Sequence, residues 1–179
     1  MSVRLDRIVT RGGDQGMTSL GDGARIRKDD PLIEAMGCVD ELNAVVGLVR
    51  LHCPGRDALA RIQNLLFDLG AILCIPERED DGGRVAEGVI WLDSEIVALR
   101  ESQQPLTSFV LPGGSVGASW AHMARVVARR SERRVVALDQ ARLASAVKFL
   151  NRSSDYFFVL ARHMNDDGRS DILWQRDQT

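Results

Sequence analysis

The chain has 179 residues, with Lys+Arg 23 against Asp+Glu 25 and a formal net charge of −2. That balance gives no global reason to expect nucleic acid as a partner, and 45% hydrophobic residues exclude a disordered chain and supply a real core. Cys38, Cys53 and Cys74 are few and not in CxxC spacing, which argues for reduced thiols and against a disulfide framework or a zinc site. The first residues lack the apolar stretch of a secretory signal, and no run approaches the ~18 apolar residues that span a membrane. A soluble, cytoplasmic protein with no membrane partner is expected.

Residues 1–29 read as a short extended piece, "RLDRIVT", a glycine-rich loop, "TRGGDQGMTSLGDG", and then "RIRKDD". Glycines let backbone N–H groups approach phosphate closely, and Arg11 and Lys28 add charge. GxxxxGK[ST] is absent, as is the strand–helix setting of a dinucleotide fingerprint, so this loop alone is a weak signal. Asp30-Pro31 reads as a helix cap followed by the residue that loses nothing at the first helical position. On the helix that follows, Ile33, Met36, Gly37, Ala44, Leu48 and Leu51 share one stripe, with Asp40 in its middle. A carboxylate buried there is costly unless paired; it either caps a turn, reaches a water or holds an arginine.

A second helix is predicted from Asp57 to Ile75, stopped by Pro76, and a solvated loop, "EREDDGGRVAE", follows. A third covers Glu87 to Gln103, with Val89, Leu92, Ile96 and Leu99 on one face. After "PLTSFVLPGGS" a fourth begins near Ser115, and a fifth spans Leu143 to Asn165. The segment "ARVVARRSERRVVAL" of the fourth helix holds five arginines. At about 100° per residue, Trp120, Ala124, Val127, Ala128, Val135 and Leu138 form its core face. Arg125, Arg129 and Glu132 cluster on another face, and Arg130 and Arg134 point away. This is either a solvated basic face or an anion clamp whose planar forks suit phosphate. On the fifth helix Asn151 and Asp155 share a face. His52, His122 and His163 have no metal-ligand spacing, and Ser115, Ser119 and Ser131 give no triad signal. The whole reads as one all-α domain over 1–179: an arm (1–29), an antiparallel five-helix bundle (30–165) and a tail (166–179).

"TRGGDQGMTSL", "RKDDPLIEAMGCVDELNAVVG", "FVLPGGS", "HMARVVARRSERR" and "LNRSSDYFFVLAR" stand in the order found in PduO-type ATP:cob(I)alamin adenosyltransferases. The chain resembles that family from about Ile8 to Arg162, with a short tail that includes Trp174. The resemblance implies a ferritin-like five-helix bundle that assembles as a homotrimer, with ATP between the arm of one subunit and the arginine helix of its neighbour. The implied reaction moves the 5′-deoxyadenosyl group of ATP to Co(I) of cob(I)alamin, giving adenosylcobalamin and triphosphate. It brings Mg²⁺ with the triphosphate, a reductase, and an adenosylcobalamin-dependent enzyme as recipient. By the same resemblance Thr10, Arg11, Gly12, Gly13, Thr18, Ser19 and Lys28 form the phosphate cradle. Arg125, Arg129, Glu132, Arg133 and Asn151 meet the nucleotide, Asp40 orients Arg125, and Phe109 lies under the corrin ring. The family commonly has lysine at the position of Arg11, and threonine or lysine at that of Gly12. Arginine keeps the charge but not the shape, and glycine leaves only a backbone contact. The rival reading from another class is a non-catalytic nucleotide- or corrinoid-binding module on the same bundle.

Overall fold

A computed structural model of the chain describes residues 9–75 and 83–176. The extended piece expected at the start, the Pro76 stop and most of the loop after it fall on residues 1–8 and 76–82, outside the described residues. Five α-helices dominate: α1 (Pro31–Leu51), α2 (Asp57–Cys74), α3 (Arg84–Arg100), α4 (Val116–Val136) and α5 (Ala144–Met164). The Asp30 carboxylate accepts a hydrogen bond from the Leu32 amide at 2.8 Å, with Pro31 at the first helical position. Ser115 opens α4 in the same way, its hydroxyl accepting from the Ala118 amide at 3.1 Å. Each cap satisfies an amide that the helix itself leaves orphaned.

The helices close a ring. α4 packs between α1 and α5, α5 reaches α3, and α2 joins α3 to α1. Leu59, Ile62, Leu66, Leu69 and Leu73 bring one face of α2 to the centre, where they meet Leu42 and Val46 of α1, Leu92 of α3, and Phe149, Tyr156 and Phe157 of α5. The core side of α4 is the predicted one, extended by Ala121, His122 and Ser131. Ser131 donates to the carbonyls of Cys38 (2.8 Å) and Val127 (3.0 Å), which ties α4 to α1 without leaving a buried hydroxyl unpaired.

Two expectations need correcting. The stripe of α1 that faces the core is Leu32, Ala35, Val39, Leu42, Val46 and Val49, not the one containing Asp40. Gly37, Asp40, Ala44, Leu48 and Leu51 are exposed on the opposite side. This helix is apolar on two faces, so periodicity alone assigned the inward one wrongly. The arm is also not wholly irregular. β1 (Met17–Ser19) and β2 (Arg25–Arg27) form an antiparallel hairpin with Thr18 opposite Ile26. The Asp22 side chain accepts from the Ala24 amide at 2.8 Å, and Gly23 supplies a φ of 89° at the turn.

Candidate functional site

The glycine loop folds back on itself before the hairpin. Arg11 (φ 58°) and Gly16 (φ 76°) take left-handed backbone conformations, and the Asp14 and Gly16 amides donate to the Arg11 and Gly13 carbonyls. A Cβ on Gly13 would stand 2.7 Å from Lys28 Nζ, and one on Gly12 would stand 3.7 Å from Thr10 Oγ1. The Lys28 ammonium therefore lies against the bare backbone of the loop at Gly13, where a side chain would push it aside. Neither Lys28 nor Arg11 has an ion-pair partner among the described residues. Arg25, which sequence reading missed, fixes the geometry. Its guanidinium donates to the Gly12 carbonyl (2.7 Å) and to Ser19 Oγ (3.1 Å). The only available signal was its place in the arginine-flanked "RIR" strand.

On α4 the arginines divide into two sets. Arg130 pairs with Glu41, and Arg134 with Glu34 at 3.4 Å, so both are spent on α1. Arg125, Arg129 and Arg133 have no carboxylate partner among the described residues. Burial, and then the charge of Arg129, lower the pKa of Arg125, and its Nε is buried without a hydrogen-bond partner. Glu132 does not neutralise this pair; it accepts a hydrogen bond from Asn151 Nδ2 at 3.0 Å. Arg129, Glu132, Arg133, Val136 and Asn151 line a cavity of about 320 Å³ between α4 and α5. Two guanidiniums near each other without a counter-ion among the described residues, beside an open cavity, have the charge and the donor geometry that suit a multivalent anion. Asp155 takes no part there; it lies 3.5 Å from Arg152.

Thr18 and Ser19 line a different groove, about 510 Å³ in volume, with Met36, Gly37, Asp40 and Phe67 along α1 and α2. The two cavities share no residue. Neither Lys28 nor any residue of the glycine loop lines the arginine cavity, so the chain alone does not bring these two candidate half-sites together. Asp40 is exposed, with no ion pair or hydrogen bond among the described residues, so the Asp40–Arg125 pairing is not made within the chain.

A family model described as cobalamin adenosyltransferase matches residues 8–164. The chain belongs to the cobalamin adenosyltransferase family. It is 44% identical over 187 residues to the cobalamin adenosyltransferase of Cupriavidus metallidurans, with 99% of each chain covered. It is 38% identical to the corrinoid adenosyltransferase of Bacillus subtilis, covering 95% of this chain and 93% of that one. Among solved structures it is similar to a variant of the PduO-type ATP:corrinoid adenosyltransferase of Lactobacillus reuteri complexed with cobalamin and ATP. That likeness has a TM-score of 0.87 at 33% identity, over 95% of this chain and 97% of that one.

In this cobalamin adenosyltransferase family member, Phe109 stands in the loop before α4 and is 80% exposed. Its neighbours Leu106, Leu111, Ile172 and Trp174 are exposed as well, giving an apolar surface at the start of α4. No helix among the described residues is long and apolar enough to cross a membrane.

His122 lies one turn before Arg125 and is 2% exposed, with neither ring nitrogen hydrogen-bonded among the described residues. Burial, then Arg125, push its pKa below the ordinary 6.5, against a smaller opposing effect of Asp171. The folded protein thus holds the ring neutral to lower pH than the unfolded chain, which takes up a proton as pH falls through about 6.5. Stability held above that pH is lost below it, down to the depressed folded value. His122→Phe is expected to flatten the fall in Tm between about pH 7.5 and about pH 5.5. Thermal melts of the two proteins across that range check it, and parallel curves would remove His122 from the acid response.

Proposed function

We propose that the protein transfers the 5′-deoxyadenosyl group of ATP to the Co(I) centre of cob(I)alamin, giving adenosylcobalamin and triphosphate. The observation that carries this reading is the uncompensated Arg125–Arg129 pair beside the cavity lined by Glu132, Arg133 and Asn151. Membership of the family supports it. Co(I) is itself the nucleophile, so the reaction needs no protein nucleophile or general base. The protein's tasks are to align C5′ with cobalt and to stabilise triphosphate as it leaves. Arg129, Arg133 and Lys28 suit the second task. Mg²⁺ would accompany the triphosphate and offset its charge, with no protein side chain assigned to hold it. Phe109, exposed and apolar, suits the lower face of the corrin, where it excludes an axial ligand and eases reduction to Co(I). That reduction calls for an electron donor, which we take to be a reductase in the cytoplasm, with an adenosylcobalamin-dependent enzyme receiving the product.

A homotrimer brings the two half-sites together, the arm of one subunit facing α4 of the next. Two observations support this. The outward stripe of α1 leaves Leu48 and Leu51 uncovered, and α4 leaves Met123, Val126 and Val136 uncovered around its free arginines. Asp40 and Arg125, each without a carboxylate–guanidinium partner among the described residues of its own chain, suit each other across that contact. Asp40→Asn is then expected to leave the melting of the single chain nearly unchanged, because no buried charge is stranded. It weakens assembly instead, so that the trimer dissociates at higher protein concentration and ATP affinity falls with it. Sedimentation over a dilution series checks this, and unchanged assembly with unchanged ATP affinity would remove the pairing.

Single-turnover incubation with ATP and chemically reduced cobalamin tests the reading as a whole. Adenosylcobalamin and triphosphate in equal amounts are expected. Tight binding of both ligands without product would instead favour a binding module.

A further inference from the structure

Behind Phe109 lies a buried polar cluster to which adenosyl transfer assigns no task. Arg162, in the last turn of α5, pairs with Asp171 of the tail at 2.7 Å, their side chains 8% and 1% exposed. The same guanidinium donates to the Gln104 carbonyl at 2.7 Å. Asn165, 2% exposed, donates to the second oxygen of Asp171 (3.4 Å) and to the Gly113 carbonyl (3.1 Å), and its own oxygen accepts from the Ser115 amide (3.0 Å). The cluster thus grips the chain before the Phe109 loop, after it, and in the tail. Gly114 (φ 96°) and Gly168 (φ 89°) make this fit: a Cβ on the first would collide with Asn165 and one on the second with Arg162.

Past Asp171 the tail runs antiparallel to the loop. The Leu111 amide donates to the Ile172 carbonyl (2.7 Å), and the Trp174 amide to the Phe109 carbonyl (2.7 Å). Ser108 Oγ donates to the Trp174 carbonyl at 2.9 Å. The Phe109 and Trp174 rings meet edge to face at 6.4 Å between centroids. A side chain as exposed as Phe109 has no core to select its rotamer, so its direction depends on backbone held by neighbours. A buried ion pair is weak evidence for stability but does specify a single arrangement here, because three chain segments must converge on it.

We propose that Arg162, Asp171 and Asn165 are positioning residues for adenosyl transfer: they hold the tail as a backing strand that fixes the Phe109 loop, and Trp174 braces the Phe109 ring edge to face, holding it in the orientation it presents to the corrinoid. The proposal rests on the adenosyltransferase reading above. None of the three residues touches the reacting atoms.

Three variants of the full chain test it: Asp171→Asn, Trp174→Ala and Trp174→Phe. Hydrogen exchange reads the clasp without any ligand. In Asp171→Asn the Leu111 and Trp174 amides are expected to exchange about tenfold faster or more, while core amides of α2 do not change. In Trp174→Ala the four-coordinate fraction of bound cob(II)alamin and kcat fall about fivefold or more, with KM for ATP within about twofold of wild type. Trp174→Phe restores both, a rescue that a bulk stability role would not give. Unchanged exchange in a folded Asp171→Asn overturns the clasp. An unchanged four-coordinate fraction in Trp174→Ala, or a fall matched by equal losses in Tm and ATP affinity, overturns the bracing of Phe109 by Trp174. Should Asp171→Asn fail to fold, Trp174→Ala decides through the same two amide and cobalt measurements. A wild-type protein that makes no adenosylcorrinoid defeats the function proposed above, and the exchange result still decides the clasp.

Discussion

Arg129→Ala is expected to lower adenosyl transfer by about 10²-fold or more, the usual scale for removing a group that stabilises charge developing in the transition state. ATP affinity falls with it. The fold should not suffer. Arg129 is exposed, has no carboxylate partner among the described residues, and repels Arg125, whose pKa it helps to lower. Removing it relieves a like-charge contact, so the melting temperature stays level or rises slightly. Calorimetric titration with ATP, circular dichroism and the turnover assay together check this. Near-normal affinity and turnover would end the phosphate role, and a large drop in Tm would mean that the side chain is structural.

Phe109→Ala separates rate from stability in the opposite part of the site. A core phenylalanine cut to alanine typically costs about 3–5 kcal/mol. Phe109 is 80% exposed and its ring contact is the Trp174 edge, a contact worth about 0.5–1.5 kcal/mol. The variant should therefore fold, assemble and bind ATP as wild type does. On the proposed role of the ring, which is to exclude an axial ligand, four-coordinate cob(II)alamin should largely disappear and turnover should fall by about 10²-fold. Electron paramagnetic resonance of bound cob(II)alamin set beside a thermal melt is the decisive pair. A large loss of Tm with unchanged cobalt coordination would reduce Phe109 to packing.

The helices were legible because their signals are local. Asp30-Pro31 and Ser115 begin helices where caps belong, and the period of Leu59, Ile62, Leu66, Leu69 and Leu73 placed α2. The wheel also separated Arg130 and Arg134 from Arg125 and Arg129, and the first two do turn to Glu41 and Glu34. What failed was local information applied to a non-local question. With apolar residues on two sides of α1, only the packing of α2 and α4 decides which side is inside, and Asp40 fell on the other. Glu132 shares a face with Arg125 and Arg129 on the wheel, but it is Asn151 from α5 that reaches it. The hairpin escaped notice because three-residue strands carry no periodicity. The clasp of Arg162, Asn165 and Asp171 joins segments up to 58 residues apart in sequence, and no spacing announces it. The arm, the arginine helix and Phe109 were picked out largely through resemblance, since a glycine loop or a basic helix alone fits many surfaces.

The separation of the glycine loop and Lys28 from the arginine cavity within one chain reaches into genetics. Where each site is shared, a lesion in the arm and a lesion in α4 damage different contributions to the same place. Chains crippled at Lys28 and chains crippled at Arg129, assembled together at random, would leave about one junction in four with both contributions sound. Two inactive alleles could thus restore each other, whereas two alleles hit in the same half could not.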